Sequence, residues 1–187
     1  MTASSSAAQV AEEGASSTDA ATPTTGTTAP AAPAADAAGG IPTHLGAADA
    51  NVNEGDFYGD GGQAVYFRSP SGNVTCSLGF SKPQVPPACQ ARVSVQSAGG
   101  PHCDNTGLNV YASEFVGGVA RSRCVTLSTY VGDARRTNPG TPYGGRVLDY
   151  GQTISILEVT CTSTTAGITC FDGAHGFTLA RDRNAIY

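Results

Sequence analysis

The chain has 187 residues, a formal net charge of −5, 13 % charged residues, six Cys and no Trp. That length suits about one domain. The acidic balance argues against a nucleic-acid partner, which needs clustered Lys and Arg for phosphate contacts, and no apolar run reaches the roughly 18 residues of a membrane helix.

Residues 1–62 read as a disordered linker. Residues 1–50 are mostly Ala, Thr, Ser, Pro and Gly, without Phe, Tyr, Lys or Arg. Such a segment buries too little apolar surface to offset an ordering cost of about 1–2 kcal/mol per residue. An Ala-rich helix over 7–15 would be too short to stand alone and has no apolar stripe to dock. His44 falls in this stretch and reads as solvated. The first 60 residues carry eight acids and no Lys or Arg; the remainder carries seven acids and all ten bases. A weakly basic domain over 63–187 therefore follows an acidic tail, which as a coil of about 60 residues spans roughly 40 Å.

From residue 63 onward, short apolar or alternating runs are broken by turn residues. Expected strands are Gln63–Arg68, Asn73–Leu78, Ala91–Gln96, Leu108–Ala112, Ser122–Leu127, Thr153–Thr162, Gly167–Phe171 and Phe177–Ala180. Between them fall Ser69-Pro70-Ser71-Gly72, Pro86-Pro87, Gly99-Gly100-Pro101, Asn138-Pro139-Gly140 and Gly144-Gly145. Strands at about ten-residue spacing with Gly/Pro punctuation indicate an all-β sandwich or barrel. One short helix fits Ser113–Gly117, ended by two glycines. Residues 132–146 read as a long surface loop.

All six cysteines lie in this domain: Cys76, Cys89, Cys103, Cys124, Cys161 and Cys170. None forms the C-x-x-C pair of a redox motif or of common zinc modules. An even count without such pairs predicts three disulfides and an oxidising compartment, extracellular or at the cell surface. Cys161 and Cys170 flank a hairpin in which the two can face each other. Proximity then pairs Cys76 with Cys89 and Cys103 with Cys124. No secretory apolar run follows Met1, so the expectation is a mature chain whose signal has been removed. The Ser/Thr/Ala/Pro-rich tail suits a lipoprotein stalk, and membrane contact would run only through a lipid anchor not in this sequence.

No nucleophile elbow, P-loop or H-E-x-x-H motif occurs, and no catalytic residue, metal or cofactor is implied. The nearest metal-like grouping is Cys161, Cys170 and His175, with His102 beside Cys103. His175, between Ala174 and Gly176 and shortly before Arg181, is the one histidine suited to a close ligand approach. Asp149 and Tyr150 form a second cluster. These four residues are the candidate binding residues. A triad of Ser71, His175 and Asp149 has no support in the spacing. Arg121, Arg123, Arg135, Arg136 and Arg146 could meet on one side, since nine of the ten bases are Arg and suit bidentate anion contacts. Tyr111, Tyr130, Tyr143 and Tyr150 could line a glycan or protein surface, or belong to the core. The sequon Asn73-Val74-Thr75 carries little weight.

Three segments in order resemble a family of small exported or lipid-anchored actinobacterial cell-envelope domains without an assigned activity. They are Phe67-Arg68-Ser69-Pro70-Ser71-Gly72-Asn73-Val74-Thr75-Cys76, then Arg146-Val147-Leu148-Asp149-Tyr150-Gly151, then Gly167-Ile168-Thr169-Cys170 with His175-Gly176-Phe177-Thr178-Leu179-Ala180-Arg181. The family shows S-P-S-G-N-x-x-C, L-x-Y-G, and G-x-T-C followed by G-H-G-F-x-L-S-R. The resemblance covers about residues 65–187. Ala174 and Ala180 stand where the family has Gly and Ser, so no catalytic Ser is available there. The resemblance implies envelope localisation and six-cysteine packing. The leading expectation is an exported binding module on a flexible stalk, its partner an envelope component or envelope protein. Alternatives are a secreted hydrolase using the His175 region and a protease inhibitor presenting the 132–146 loop.

Overall fold

The computed structural model describes residues 40–58, 64–79, 86–131 and 144–187. Within them the chain forms strands β1 (Val65–Arg68), β2 (Val74–Leu78), β3 (Ala88–Ala91), β4 (Val110–Val116), β5 (Val119–Val125), β6 (Arg146–Val147), β7 (Thr153–Ile156), β8 (Val159–Thr164), β9 (Gly167–Asp172), β10 (His175–Leu179) and β11 (Asn184–Ile186). Two sheets result, one ordered β5-β4-β3-β2-β1-β6 and one ordered β11-β10-β9-β8-β7. All neighbours pair antiparallel except β1 and β6. This is the expected all-β sandwich.

Period-two alternation decides which side chains meet between the sheets. Val74, Cys76 and Leu78 of β2 face Ile154 and Ile156 of β7, Val159 and Cys161 of β8, Ile168 and Cys170 of β9, and Phe177 and Leu179 of β10 in one buried cluster. Each such side chain contributes about 1.5–3 kcal/mol by leaving water.

All three disulfides join the expected partners: Cys76–Cys89, Cys103–Cys124 and Cys161–Cys170. Cys76 lies directly opposite Cys89, and Cys161 opposite Cys170, on adjacent strands. Cys89 Sγ and Cys170 Sγ approach to 3.9 Å across the sandwich. Two disulfides, one from each sheet, thus touch in the middle of the core.

Three expected elements are corrected. Residues 113–117 belong to β4, not to a helix. Gly117 and Gly118 take φ of 62° and 77°, the two positive values of a type I′ hairpin, with Val116 opposite Val119. The glycines turn a strand back on itself and do not terminate a helix. Residues 153–162 are two strands. Ile154 and Ile156 have even numbers, whereas Val159 and Cys161 have odd ones. One continuous strand would send the pairs to opposite faces, and the turn at Leu157, with φ 55°, returns both to the core. Residues 92–96 lie outside any strand: β3 ends at Ala91, and Ser94 and Ser97 are buried while Val93 and Val95 are 44 % and 43 % exposed. The Asn73 amide holds this segment by donating to Val93 O and accepting from Val93 N. Ser94 Oγ donates to Ala180 O at 2.6 Å.

The linker boundary is also corrected. Residues 1–39 lie outside the described residues, but 40–58 form an ordered strap with 3-10 turns at Ala47–Asp49 and Glu54–Phe57. Leu45 and Phe57 are buried, and Val52 packs against the core. Asn51 N donates to Thr153 O, and Asn51 Oδ1 accepts from Thr153 N. The strap thereby pairs the outward backbone groups of Thr153, at the start of the edge strand β7, which would otherwise lack partners. The Arg146 guanidinium lies 5.7 Å from the Phe57 ring centre and pairs with Asp56 at 3.7 Å. Low apolar content had hidden three anchoring side chains spaced along the strap.

Candidate functional site at the hairpin end

The β4–β5 and β7–β8 hairpins and the β9–β10 turn converge at one end of the sandwich. A cleft of about 870 Å³ opens there, lined by Pro86, Pro87, Phe115, Val116, Ile156, Leu157 and five charged residues, with glycines at its mouth. That volume falls within the usual range of ligand pockets. Leu157 is 67 % exposed and Val116 39 %. Their exposure follows from the turns: each stands at a hairpin tip, where no strand among the described residues covers it.

On the outer face of the first sheet, Glu114 is almost fully buried and faces Arg121 and Arg123. The Gly-Gly turn sets this pairing, because Glu114 and Arg121 are direct cross-strand partners. Arg123 Nη1 donates to Glu114 Oε2 at 3.2 Å, Arg121 Nε lies 3.6 Å from Oε1, and Tyr130 Oη donates to Oε2 at 2.9 Å. A buried carboxylate needs such partners to offset its lost hydration. Burial, together with the adjacent Glu114 charge, pushes the Tyr130 hydroxyl far above its ordinary range. Both arginine side chains remain half exposed. From the second sheet the lining takes Glu158, exposed at the β7–β8 turn, and Asp172, half-buried at the end of β9, whose carboxylate lies beside Gly118 of the β4–β5 turn.

Tyr130 is held from the backbone as well. Its N–H donates to Gln90 Oε1 at 2.9 Å, and the Gln90 amide donates to Leu127 O. Ala88, Val110, Ala112, Val125 and Tyr130 form a second small core on the outer face of this sheet.

The four sequence-derived binding residues are not brought together. His175 opens β10, exposed, opposite Asp172. Arg181 lies two residues beyond the other end of β10, about 20 Å away at the rise of a strand. Asp149 and Tyr150 occupy a turn in which Asp149 N donates to Gln152 Oε1 and Gly151 N donates to Ser163 O. This turn and Arg181 share one end of the second sheet, and His175 marks the opposite one. Ser71 bonds to Ser69 in the first sheet. No triad therefore assembles.

The motif around His175 has a packing explanation. A Cβ at Gly176 would lie 2.6 Å from the Phe171 ring and 2.9 Å from Cys170 O. Phe171 also stacks with Tyr187 and meets His44 at 6.0 Å between ring centres. His44 is thus exposed but packed on a ring, unlike a free linker residue.

Of the five arginines expected on one side, Arg121 and Arg123 meet at Glu114. Arg146 lies on β6 at the opposite edge of the same sheet, and Arg135 and Arg136 lie outside the described residues. Tyr111 and Tyr130 are buried, and Tyr111 Oη accepts from Cys103 N. Tyr143 and most of the 132–146 loop lie outside the described residues. The sulfurs of Cys161 and Cys170 are bonded to each other, so they offer no thiolates to a metal. Among the described residues no group of three His, Cys, Asp or Glu has metal-binding geometry. Sequence reasoning named Arg121 and Arg123 but missed Glu114, Phe115, Leu157 and Asp172.

Scans against protein-family models, curated proteins and solved structures found no match to the chain.

Proposed function

We propose that the protein is an exported interaction module of the cell envelope that binds its partner in the hairpin-end cleft. The observation that carries this reading is the cleft itself: apolar side chains at turn tips beside two half-exposed arginines fixed by a buried carboxylate. Exposed Leu157 and Val116 gain nothing for the fold, whereas contact with a partner removes them from water. Half-exposed arginines beside apolar anchors are the composition of an interface centre.

Three disulfides favour an oxidising compartment, and the envelope resemblance agrees with that. The strap delivers the chain to the sandwich at β7, so the domain hangs from its N-terminal side and the cleft is formed by turns free of the strap. Binding, not catalysis, is the reading: His175, Asp149 and Arg181 do not converge.

The test is retention of solubilised envelope components on the immobilised protein. Wild type is expected to retain a component that a Val116→Asp/Leu157→Asp variant of unchanged melting temperature does not. Equal retention by both proteins refutes the cleft as the binding surface.

A further inference from the structure

Two of the three disulfides share one space. Cys76–Cys89 staples β2 to β3 in the first sheet, and Cys161–Cys170 staples β8 to β9 in the second. All four cysteines are 0 % exposed, and Cys89 Sγ stands 3.9 Å from Cys170 Sγ. Cys103–Cys124 lies apart: Cys124 Sγ rests against His102 O and Cys103 Sγ against Arg123 O. Each core disulfide ties neighbours within its own sheet, and neither ties one sheet to the other. We infer that the two core disulfides act as one exchange-coupled redox unit. When either is reduced by a dithiol, the other passes into a Cys89–Cys170 bond that joins the sheets, and the free thiols come to rest on Cys76 and Cys161.

The chemistry is thiol–disulfide exchange, in which a thiolate attacks one sulfur and the other sulfur leaves with the electron pair. The dithiol supplies two electrons and two protons to Cys161–Cys170 and departs as its own disulfide. Cys170 then gives up its proton and bonds to Cys89 Sγ. The Cys76–Cys89 bond breaks, and the proton goes to Cys76. If Cys76–Cys89 is the bond reduced, Cys89 attacks Cys170 and Cys161 leaves. Both routes end in the same isomer, because the touching sulfurs are attacker and target in turn. The exchange step itself needs no oxidant. Burial keeps water and outside thiols away from it, and also slows it, because a buried thiol ionises less readily. Bond formation requires an approach of about 2 Å from the 3.9 Å contact, part of which the released cysteine supplies by turning about its Cα–Cβ bond. The new bond spans 81 residues, against 13 and 9 for the native pairs. A longer closed loop restrains the unfolded chain more. The exchanged chain therefore resists unfolding better than a chain left with either native core bond alone.

The experiment places one unpaired cysteine in the unit. Oxidised full chains carrying Cys161→Ala or Cys76→Ala are acid-quenched, unfolded with N-ethylmaleimide, and mapped by proteolysis and mass spectrometry. In Cys161→Ala the label is expected to move from Cys170 to Cys76. In Cys76→Ala it is expected to move from Cys89 to Cys161. Both variants are expected to yield the Cys89–Cys170 cross-link in most molecules. Cys103→Ala is the control, with the label staying on Cys124 and both core pairs unchanged. Wild type is then treated with limiting dithiothreitol, which opens Cys103–Cys124 first because Cys124 is half exposed. The species with four labelled cysteines is expected to carry them at Cys76, Cys103, Cys124 and Cys161. Labels on Cys161 with Cys170, or on Cys76 with Cys89, in most of that species overturn the inference. So does a label that stays on Cys170 in Cys161→Ala and on Cys89 in Cys76→Ala. The wild-type measurement decides alone if neither single variant folds.

Discussion

The ring of Phe171 lies where a side chain at Gly176 would have to go: a Cβ there would meet Cε1 at 2.6 Å and Cδ1 at 2.7 Å. The two residues are cross-strand partners in β9 and β10, and the missing side chain lets the ring fold flat over its neighbour. The His-Gly-Phe step is therefore accounted for by packing on both faces, since Phe177 points into the core. His175 itself is exposed. Gly176→Ala is expected to cost about 1–3 kcal/mol by overpacking, whereas His175→Ala is expected to stay within about 0.5 kcal/mol of wild type. Chemical denaturation of the two variants checks this. A large loss from the histidine change alone would reverse the assignment.

The disulfides differ in what they fill. Cys103–Cys124 lies near the surface, with Cys124 half exposed, whereas Cys76–Cys89 is fully buried and touches Cys170. Loop entropy alone ranks Cys103–Cys124 higher, at about 3.3 kcal/mol against about 2.9 kcal/mol for the shorter loop. Replacing both buried cysteines by Ala also removes two sulfurs from the core, and a cavity adds to the cost in proportion to its volume. The expected order is therefore inverted: Cys76→Ala/Cys89→Ala is more destabilising than Cys103→Ala/Cys124→Ala. Melting temperatures of the two double variants decide it.

The disulfide pairing was legible because it is local. Cys161 and Cys170 bracket one hairpin, and the other two pairs are nearest neighbours in sequence. The sandwich was legible from alternation and turn residues. What the sequence concealed depends on contacts far apart in the chain. Leu45, Val52 and Phe57 look sparse among small residues, yet each finds a place on the sandwich or its edge. Val93 and Val95 mark a strand by alternation, but Ser94 turns inward, where it donates to the Ala180 and Arg183 carbonyls. The cleft draws on Pro86, Phe115, Leu157 and Asp172, which no spacing rule joins. One part was readable: a type I′ turn centred on Gly117-Gly118 places Glu114 opposite Arg121.

The strap supplies a third test. Phe57 is buried on the sandwich, and Arg146 covers it from a half-exposed position. Phe57→Ala is expected to cost about 3–5 kcal/mol. Arg146→Ala, losing an exposed ion pair and a cation–ring contact, is expected to cost at most about 1–2 kcal/mol. A chain beginning at residue 63 loses Leu45, Val52 and Phe57 together and exposes the β7 edge. It is expected to melt well below the full chain and to aggregate through that edge. Equal melting of the shortened and full chains would show the strap to be dispensable.

Tyr130 links stability to alkaline pH. Its hydroxyl donates to the buried Glu114 carboxylate, and burial with that neighbouring charge raises its pKa. An unfolded tyrosine titrates near pH 10, so above that pH the unfolded chain loses a proton the folded chain retains. The folded state then binds more protons, and stability falls as pH rises, by about 1.4 kcal/mol per unit for one group. The contribution is fully present below pH 10. Tyr130→Phe removes the titration and one partner of Glu114. At pH 7 it is expected to cost about 1–3 kcal/mol. From pH 10 to 11 the variant is expected to lose about 1 kcal/mol less than wild type, because the unfolded tyrosine is only half ionised at pH 10. Parallel urea titrations at pH 7, 10 and 11 give both numbers. Parallel stability profiles above pH 10 would mean that the phenol ionises as freely in the fold as in the open chain, and Glu114 would then owe its burial to the two arginines.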